Sequence, residues 1–137
     1  MLDTNVVIAA MRSPAGASAE LLRMARRAEV RLLVNVALAL EYEATCQLAE
    51  HRLAAKLNLH EAGVFVDGVL AMAEPVETHF MWRPQLRDPA DELVLEAAVN
   101  GQAAAIITFN RRDFGAVPAR FGIAVLMPAE AIRRIKT

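Results

Sequence analysis

The sequence predicts an α/β domain of three layers, a mostly parallel sheet between two helical layers, and three observations predict it. Short apolar runs of strand length alternate with stretches of helical period, the pattern of a parallel sheet covered on both faces. Helix-start and helix-stop residues punctuate those stretches, notably Asn35, Asp88-Pro89 and Asn100-Gly101. The chain has 137 residues, 55% of them hydrophobic and 23% charged, which suits one domain, 1–137, that buries about two-thirds of its unfolded surface.

Met1 and Leu2 form a short apolar strand that ends near Asp3, and residues 5–11 read as the first turns of a helix. Pro14 and Gly16 interrupt it. Ser18 is placed to cap a helix over 19–28, with Leu21, Leu22 and Ala25 inward and Arg23, Arg26 and Arg27 outward. Residues 31–34 make a strand, Asn35 caps one long helix running to about Lys56, and another helix spans roughly 59–73. Glu74-Pro75 ends that helix, 76–78 is a short strand, and 79–87 is a loop that carries Phe80, Trp82, Arg83 and Pro84.

Asp88-Pro89-Ala90-Asp91 opens the next helix, which stops near Asn100-Gly101. Residues 104–108 read as a buried strand, 110–114 as a helical turn, 123–126 as a strand and 128–135 as a final helix. No internal repeat, linker or low-complexity segment interrupts this order.

Composition removes several function classes. No apolar run approaches the ~20 residues of a membrane-spanning helix, and no secretory leader is legible. Cys46 is the single cysteine, so no internal disulfide forms, in keeping with a reducing, cytoplasmic setting. A net charge of −1 gives no long-range pull on nucleic acid, so phosphate binding must be local. Thirteen arginines against two lysines suit bidentate phosphate or carboxylate recognition, and equally suit a compositional bias that would also account for the many alanines.

Several carboxylates stand where apolar residues are expected. Asp3 lies in an apolar stretch, and stripping water from an isolated carboxylate costs several kcal/mol, so it needs a cation, a set of donors or a helix end. With about 100° of turn per residue, Glu41 falls inside the apolar arc of its helix while Glu43 and Glu50 fall outside it. Asp91 lies on the apolar side of its own helix, away from Glu92 and Glu96. The competing readings are local: Asp88 is an N-cap, and Asp91 at the third helical position favours the dipole.

In parallel α/β sheets ligands bind beyond the carboxyl ends of the strands, where Asp3, Asn110 and Asp113 all lie. Carboxylates gathered there repel one another unless a metal neutralises them, and oxygen-only donors suit magnesium or manganese rather than zinc. Such ions support in-line phosphoryl displacement, the chemistry of a nuclease, although phosphatases and simple ion sites share the pattern.

Four motifs in order, Leu2-Asp3-Thr4-Asn5-Val6, Glu41-Tyr42, Arg87-Asp88-Pro89-Ala90-Asp91-Glu92 and Ile107-Thr108-Phe109-Asn110-Arg111-Arg112-Asp113-Phe114, resemble the PIN-domain ribonucleases. The closest likeness is to the toxin components of bacterial toxin-antitoxin pairs, the VapC-like group. The resemblance implies a Mg2+- or Mn2+-dependent endoribonuclease that leaves a 5'-phosphate and a 3'-hydroxyl, a homodimer, and a small antitoxin protein that blocks the site. It assigns metal binding and catalysis to Asp3, Glu41 and Asp91, with Asp113 or Asn110 completing the site. Asn110 stands where the family often has aspartate, and only Met1 and Leu2 precede Asp3 where the family has a longer strand.

By the same resemblance Thr4, Asn5 and Thr108 shape the pocket by hydrogen bonding, and Arg87 and Arg111, with Arg83 and Arg112 nearby, reach RNA phosphates. The alternative for each arginine is a surface ion pair. Trp82 and Phe80 can stack on unpaired bases or simply pack. His51, His60 and His79 lack metal-ligand spacing. The Leu- and Ala-rich middle helices can offer a groove to a second copy or an antitoxin helix, or merely complete the core. A catalytically weak PIN-like protein- or RNA-binding module is the alternative function.

Overall fold

The computed structural model describes residues 1–78 and 85–137. It is a mixed fold, 60% helical with short parallel strands, as the alternating pattern requires. In chain order it runs α1 (Thr4–Arg12), α2 (Ala17–Arg26), β1 (Leu32–Val34), α3 (Val36–Cys46), α4 (Ala49–Ala54), α5 (Leu59–Met72), β2 (Ala73–Pro75), α6 (Pro89–Asn100), β3 (Ala105–Ile107), β4 (Ala124–Leu126) and α7 (Pro128–Lys136). Short 3-10 turns at Arg111–Asp113 and Pro118–Phe121 join β3 to β4.

β1 pairs in parallel with β2, and β3 with β4. On its other edge β3 receives the chain start. Met1 O accepts Ile107 N at 2.9 Å and Asp3 N donates to Ile107 O at 2.9 Å, making a parallel bridge between Leu2 and Ile107. That register sets Asp3 beside Thr108, just past the last paired residue of each segment. The core is contiguous and runs through Val6, Val7, Leu21, Met24, Leu38, Val66, Val94, Leu95, Ile106 and Phe114.

Three helix-start assignments differ in outcome for local reasons. Asn35 caps α3, its side chain accepting Leu38 N at 2.8 Å. Asp88 caps α6 by accepting Ala90 N at 2.8 Å, with Pro89 at the first helical position. Ser18 does not cap α2: Gly16 holds the N-cap position, and Ser18 is inside the helix, buried, with no hydrogen-bond partner for its hydroxyl among the described residues.

The single helix expected from Asn35 to Lys56 is two. α3 ends at Cys46, Leu48 is extended, and α4 begins at Ala49. Arg52 donates to the carbonyl of Gln47 at 3.0 Å, satisfying a backbone group freed by the break. Because both halves keep apolar spacing, periodicity does not register a two-residue interruption. The strand expected at 76–78 lies earlier, at Ala73–Pro75, directly after α5. Pro75 is tolerated there in a short strand, and Arg31 of the β1 approach pairs with Glu74 of β2 at 2.6 Å. The expectations for His79, Phe80, Trp82, Arg83 and Pro84 fall outside the described residues.

Candidate metal centre

Asp3 is placed by the parallel bridge to β3 and immediately precedes α1, with only 8% of its surface exposed. Its Oδ2 accepts the hydroxyl of Thr108 at 2.7 Å. Thr108, wholly buried, also accepts Asn110 N at 3.0 Å and Asn5 Nδ2 at 3.4 Å. Asn5 Oδ1 in turn accepts Phe109 N at 3.4 Å. The first turn of α1 and the segment after β3 are thus stitched together around the Asp3 carboxylate.

Glu41 enters from α3. Its Oε2 accepts the Thr4 hydroxyl at 2.9 Å, and it is half-buried where Glu43, two residues on, is exposed. Tyr42, next in the chain, is buried and donates its hydroxyl to the carbonyl of Leu2. This bond ties α3 to the backbone just before Asp3. Burial pushes the Tyr42 phenol upward, so it remains a neutral donor.

Asp91, in the first turn of α6, is 9% exposed. It shares a cavity of about 410 Å³ with Arg87, Asp88, Arg112, Asp113 and Phe114. Asp113 closes the 3-10 turn that follows Asn110, and fully buried Phe114 anchors the turn. Asn110 supplies its backbone N–H to Thr108, and its side chain makes no capping bond.

The electrostatics couple these segments. Burial raises the Asp91 carboxyl to about 6, with further repulsion from Asp3, Asp88, Asp113 and Glu41. Asp3 is also raised, first by burial and then by Asp113 and Asp88, against the lowering hydrogen bonds from Thr108 and Thr4. Glu41 is raised by burial and by Asp3 and Asp88. Five carboxylates from four separate segments therefore act on one another.

Asp88 belongs to that group although its sequence reads as a cap. Its side chain does cap α6, and the same position sets its charge within reach of Asp3, Glu41 and Asp91. The signal in the sequence was its spacing of three from Asp91, which puts both on one face of the helix start. Arg111 is in an ion pair with Glu130 at 3.0 Å, whereas Arg87 and Arg112 line the cavity.

Among the described residues no three His, Cys, Asp or Glu side chains converge tightly enough to form a ready-made cation cage. The donor chemistry nevertheless fits a hard divalent cation: the groups are carboxylates with raised pKa values, and among the described residues no arginine, lysine or histidine pairs with Asp3, Glu41 or Asp91. Asp3, Glu41 and Asp91 are the groups that would hold it, with Asp113 or the Asn110 amide beside them.

The family model for the PIN domain matches residues 1–112, which takes in Asp3, Glu41, Asp88, Asp91, Thr108 and Asn110 and stops one residue short of Asp113. No curated protein and no solved structure matches the chain. The chain belongs to the PIN domain family, whose fold is in general that of a nuclease.

Proposed function

We propose that the protein is a metal-dependent endoribonuclease and the toxin of a bacterial toxin-antitoxin pair. The observation that carries this reading is the mutual repulsion of Asp3, Glu41, Asp88, Asp91 and Asp113 with no basic partner on Asp3, Glu41 or Asp91 among the described residues. A fold that gathers these charges forgoes stability, and a divalent cation restores it.

Asp3, Glu41 and Asp91 would bind Mg2+ or Mn2+, and Asn110 or Asp113 would complete the set. When bound, the ion supplies Lewis acidity, making a water a better nucleophile and offsetting charge on the phosphodiester. The chain's own groups do the rest. Thr4 and Thr108 fix the Glu41 and Asp3 carboxylates by their hydroxyls, a carboxylate of the cluster takes the proton of the attacking water, and Arg87 holds the RNA backbone. The products are a 5'-phosphate and a 3'-hydroxyl.

A protein partner is supported by the apolar side chains left uncovered on the middle helices. Val36 and Leu40 lie one turn apart on α3, and Leu48, Leu53 and Leu59 are also exposed. A second copy of the chain and a small antitoxin are the proposed occupants, and no described helix is long and apolar enough to cross a membrane.

The test is Mn2+-dependent cleavage of a panel of RNAs by wild type beside Asp3→Ala and Asp91→Ala. The reading expects cleavage by wild type alone. Equal activity in all three would remove the metal site. No activity in any would favour the alternative, a PIN-like protein- or RNA-binding module, a reading motivated by the neutral Asn110 amide.

A further inference from the structure

We infer that the two adjacent arginines of the turn after β3 divide two tasks: Arg112, with Arg87, takes a phosphate of a single-stranded RNA beside the acidic cluster, while Arg111 is a positioning residue for the turn that carries Asp113. The inference rests on the nuclease reading and goes beyond it by separating the residues that touch substrate from the one that does not.

The Arg111 guanidinium donates to Glu130 Oε1 at 3.0 Å. That oxygen also accepts Met127 N at 3.1 Å, as part of the capping box that starts α7. The carboxylate is therefore held by a helix start before it meets the arginine. The turn is then fixed at three points: Asn110 N on the Thr108 hydroxyl at 3.0 Å, Arg111 on Glu130, and the wholly buried ring of Phe114. Asp113 lies between the second and third. A guanidinium with one nitrogen already held by Glu130 is less free to grip a phosphate with both arms of its fork.

Arg112, one residue on, is not part of that ion pair. It lines the 410 Å³ cavity with Arg87, Asp88, Asp91 and Asp113. Three carboxylates share that cavity, yet among the described residues neither Arg112 nor Arg87 forms an ion pair with any of them. A phosphodiester brought against carboxylates is repelled, and the two arginines among the lining residues can supply the opposing charge. A strand without a complementary partner leaves its backbone free to enter such a recess.

Wild type, Arg111→Ala, Arg112→Ala and Glu130→Gln are compared by two readouts that need no turnover. The first is Mn2+ affinity of the RNA-free protein, followed by electron paramagnetic resonance. The second is affinity for a short single-stranded RNA across a salt series, with Ca2+ in place of Mn2+. For Arg112→Ala we expect unchanged Mn2+ affinity, weaker RNA binding and a salt slope smaller by about 0.7, the value of one phosphate contact on a single strand.

For Arg111→Ala and Glu130→Gln we expect Mn2+ affinity to fall by a similar factor of roughly 3–10, with no further loss when the two are combined, because they remove one contact. Arg111→Lys should recover part of it. An unchanged salt slope in Arg112→Ala overturns the inference, as does a reduced slope with intact Mn2+ affinity in Arg111→Ala. Asp3→Asn separates the two levels: if it binds Mn2+ as tightly as wild type, the nuclease reading fails and this inference with it. If Asp3→Asn loses Mn2+ but the arginine pattern is reversed, only the division of tasks is lost.

Discussion

Thr108 Oγ1 donates to Asp3 Oδ2 at 2.7 Å while accepting the backbone N–H of Asn110 at 3.0 Å. With the Asn5 amide on its second lone pair at 3.4 Å, the one donor and two acceptor sites of the hydroxyl are filled. One wholly buried threonine thus orients the first carboxylate of the cluster and fixes the start of the turn that carries Asp113. Thr108→Val keeps the shape and removes all three bonds. It should destabilise the protein by about 1–3 kcal/mol, the cost of leaving buried polar groups unpaired, whereas Thr108→Ser should retain most of the stability in urea unfolding.

The acidic cluster makes metal-free stability depend on pH in an unusual direction. Asp91 titrates at about 6 in the folded protein against an ordinary value of 3.8. Between those values the folded state keeps a proton that the unfolded chain has released, so the group's contribution is full below its unfolded pKa and is lost as pH rises through about 6. Asp3 and Glu41 are raised as well and act with the same sign. Thermal unfolding in a chelator should therefore occur at higher temperature near pH 5 than near pH 7. Asp91→Asn should flatten that difference and stabilise the metal-free protein at neutral pH by about 0.5–2 kcal/mol, at the expense of activity.

Gly101, at the end of α6, is required by close packing. A Cβ there would lie 2.8 Å from Val76 Cγ2 and 3.2 Å from Leu33 Cδ1, at the junction of α6 with the β1–β2 pair. Its φ of −85° is one any residue adopts, so the cost of Gly101→Ala is steric alone. We expect about 1–3 kcal/mol of destabilisation, partly recovered by adding Val76→Ala, in denaturant unfolding of the single and double variants.

Tyr42→Phe isolates the bond between α3 and the chain start. The phenol is buried and donates to the Leu2 carbonyl, its one acceptor among the described residues. Removing the hydroxyl leaves that carbonyl unpaired at a cost of about 1–3 kcal/mol. Because Leu2 precedes Asp3, Mn2+ affinity should fall with it, and an unaltered affinity would show that Tyr42 serves the fold alone.

What was legible in the sequence was chemistry set by near neighbours. Asn35 and Asp88 act on amides two or three residues away, so their caps could be read directly. Glu41 could be distinguished from Glu43 because a helix's own period decides which of the two faces the protein. The pattern of strands alternating with helices carried the α/β class, although the boundaries at β2 and at the α3–α4 break depended on backbone bonds that periodicity does not encode. Ser18 differs from the expectation because a serine near a helix start has the same signature whether it caps the helix or is buried within its first turn. Asp88 caps α6 as its sequence indicates, while the influence of its charge on Asp3 and Glu41 arises only when α1, α3 and α6 are packed. The pairing of Arg111 with Glu130, 19 residues on, was likewise invisible in the local sequence.

Calorimetric titration of Mn2+ into the chelator-stripped protein, with Asp3→Asn and Asp91→Asn alongside, tests the central claim most directly. Saturable binding by wild type that is at least about tenfold weaker, roughly 1.4 kcal/mol, in each variant is the expected result. Equal Mn2+ affinity in all three proteins, or no binding by wild type at all, would contradict it.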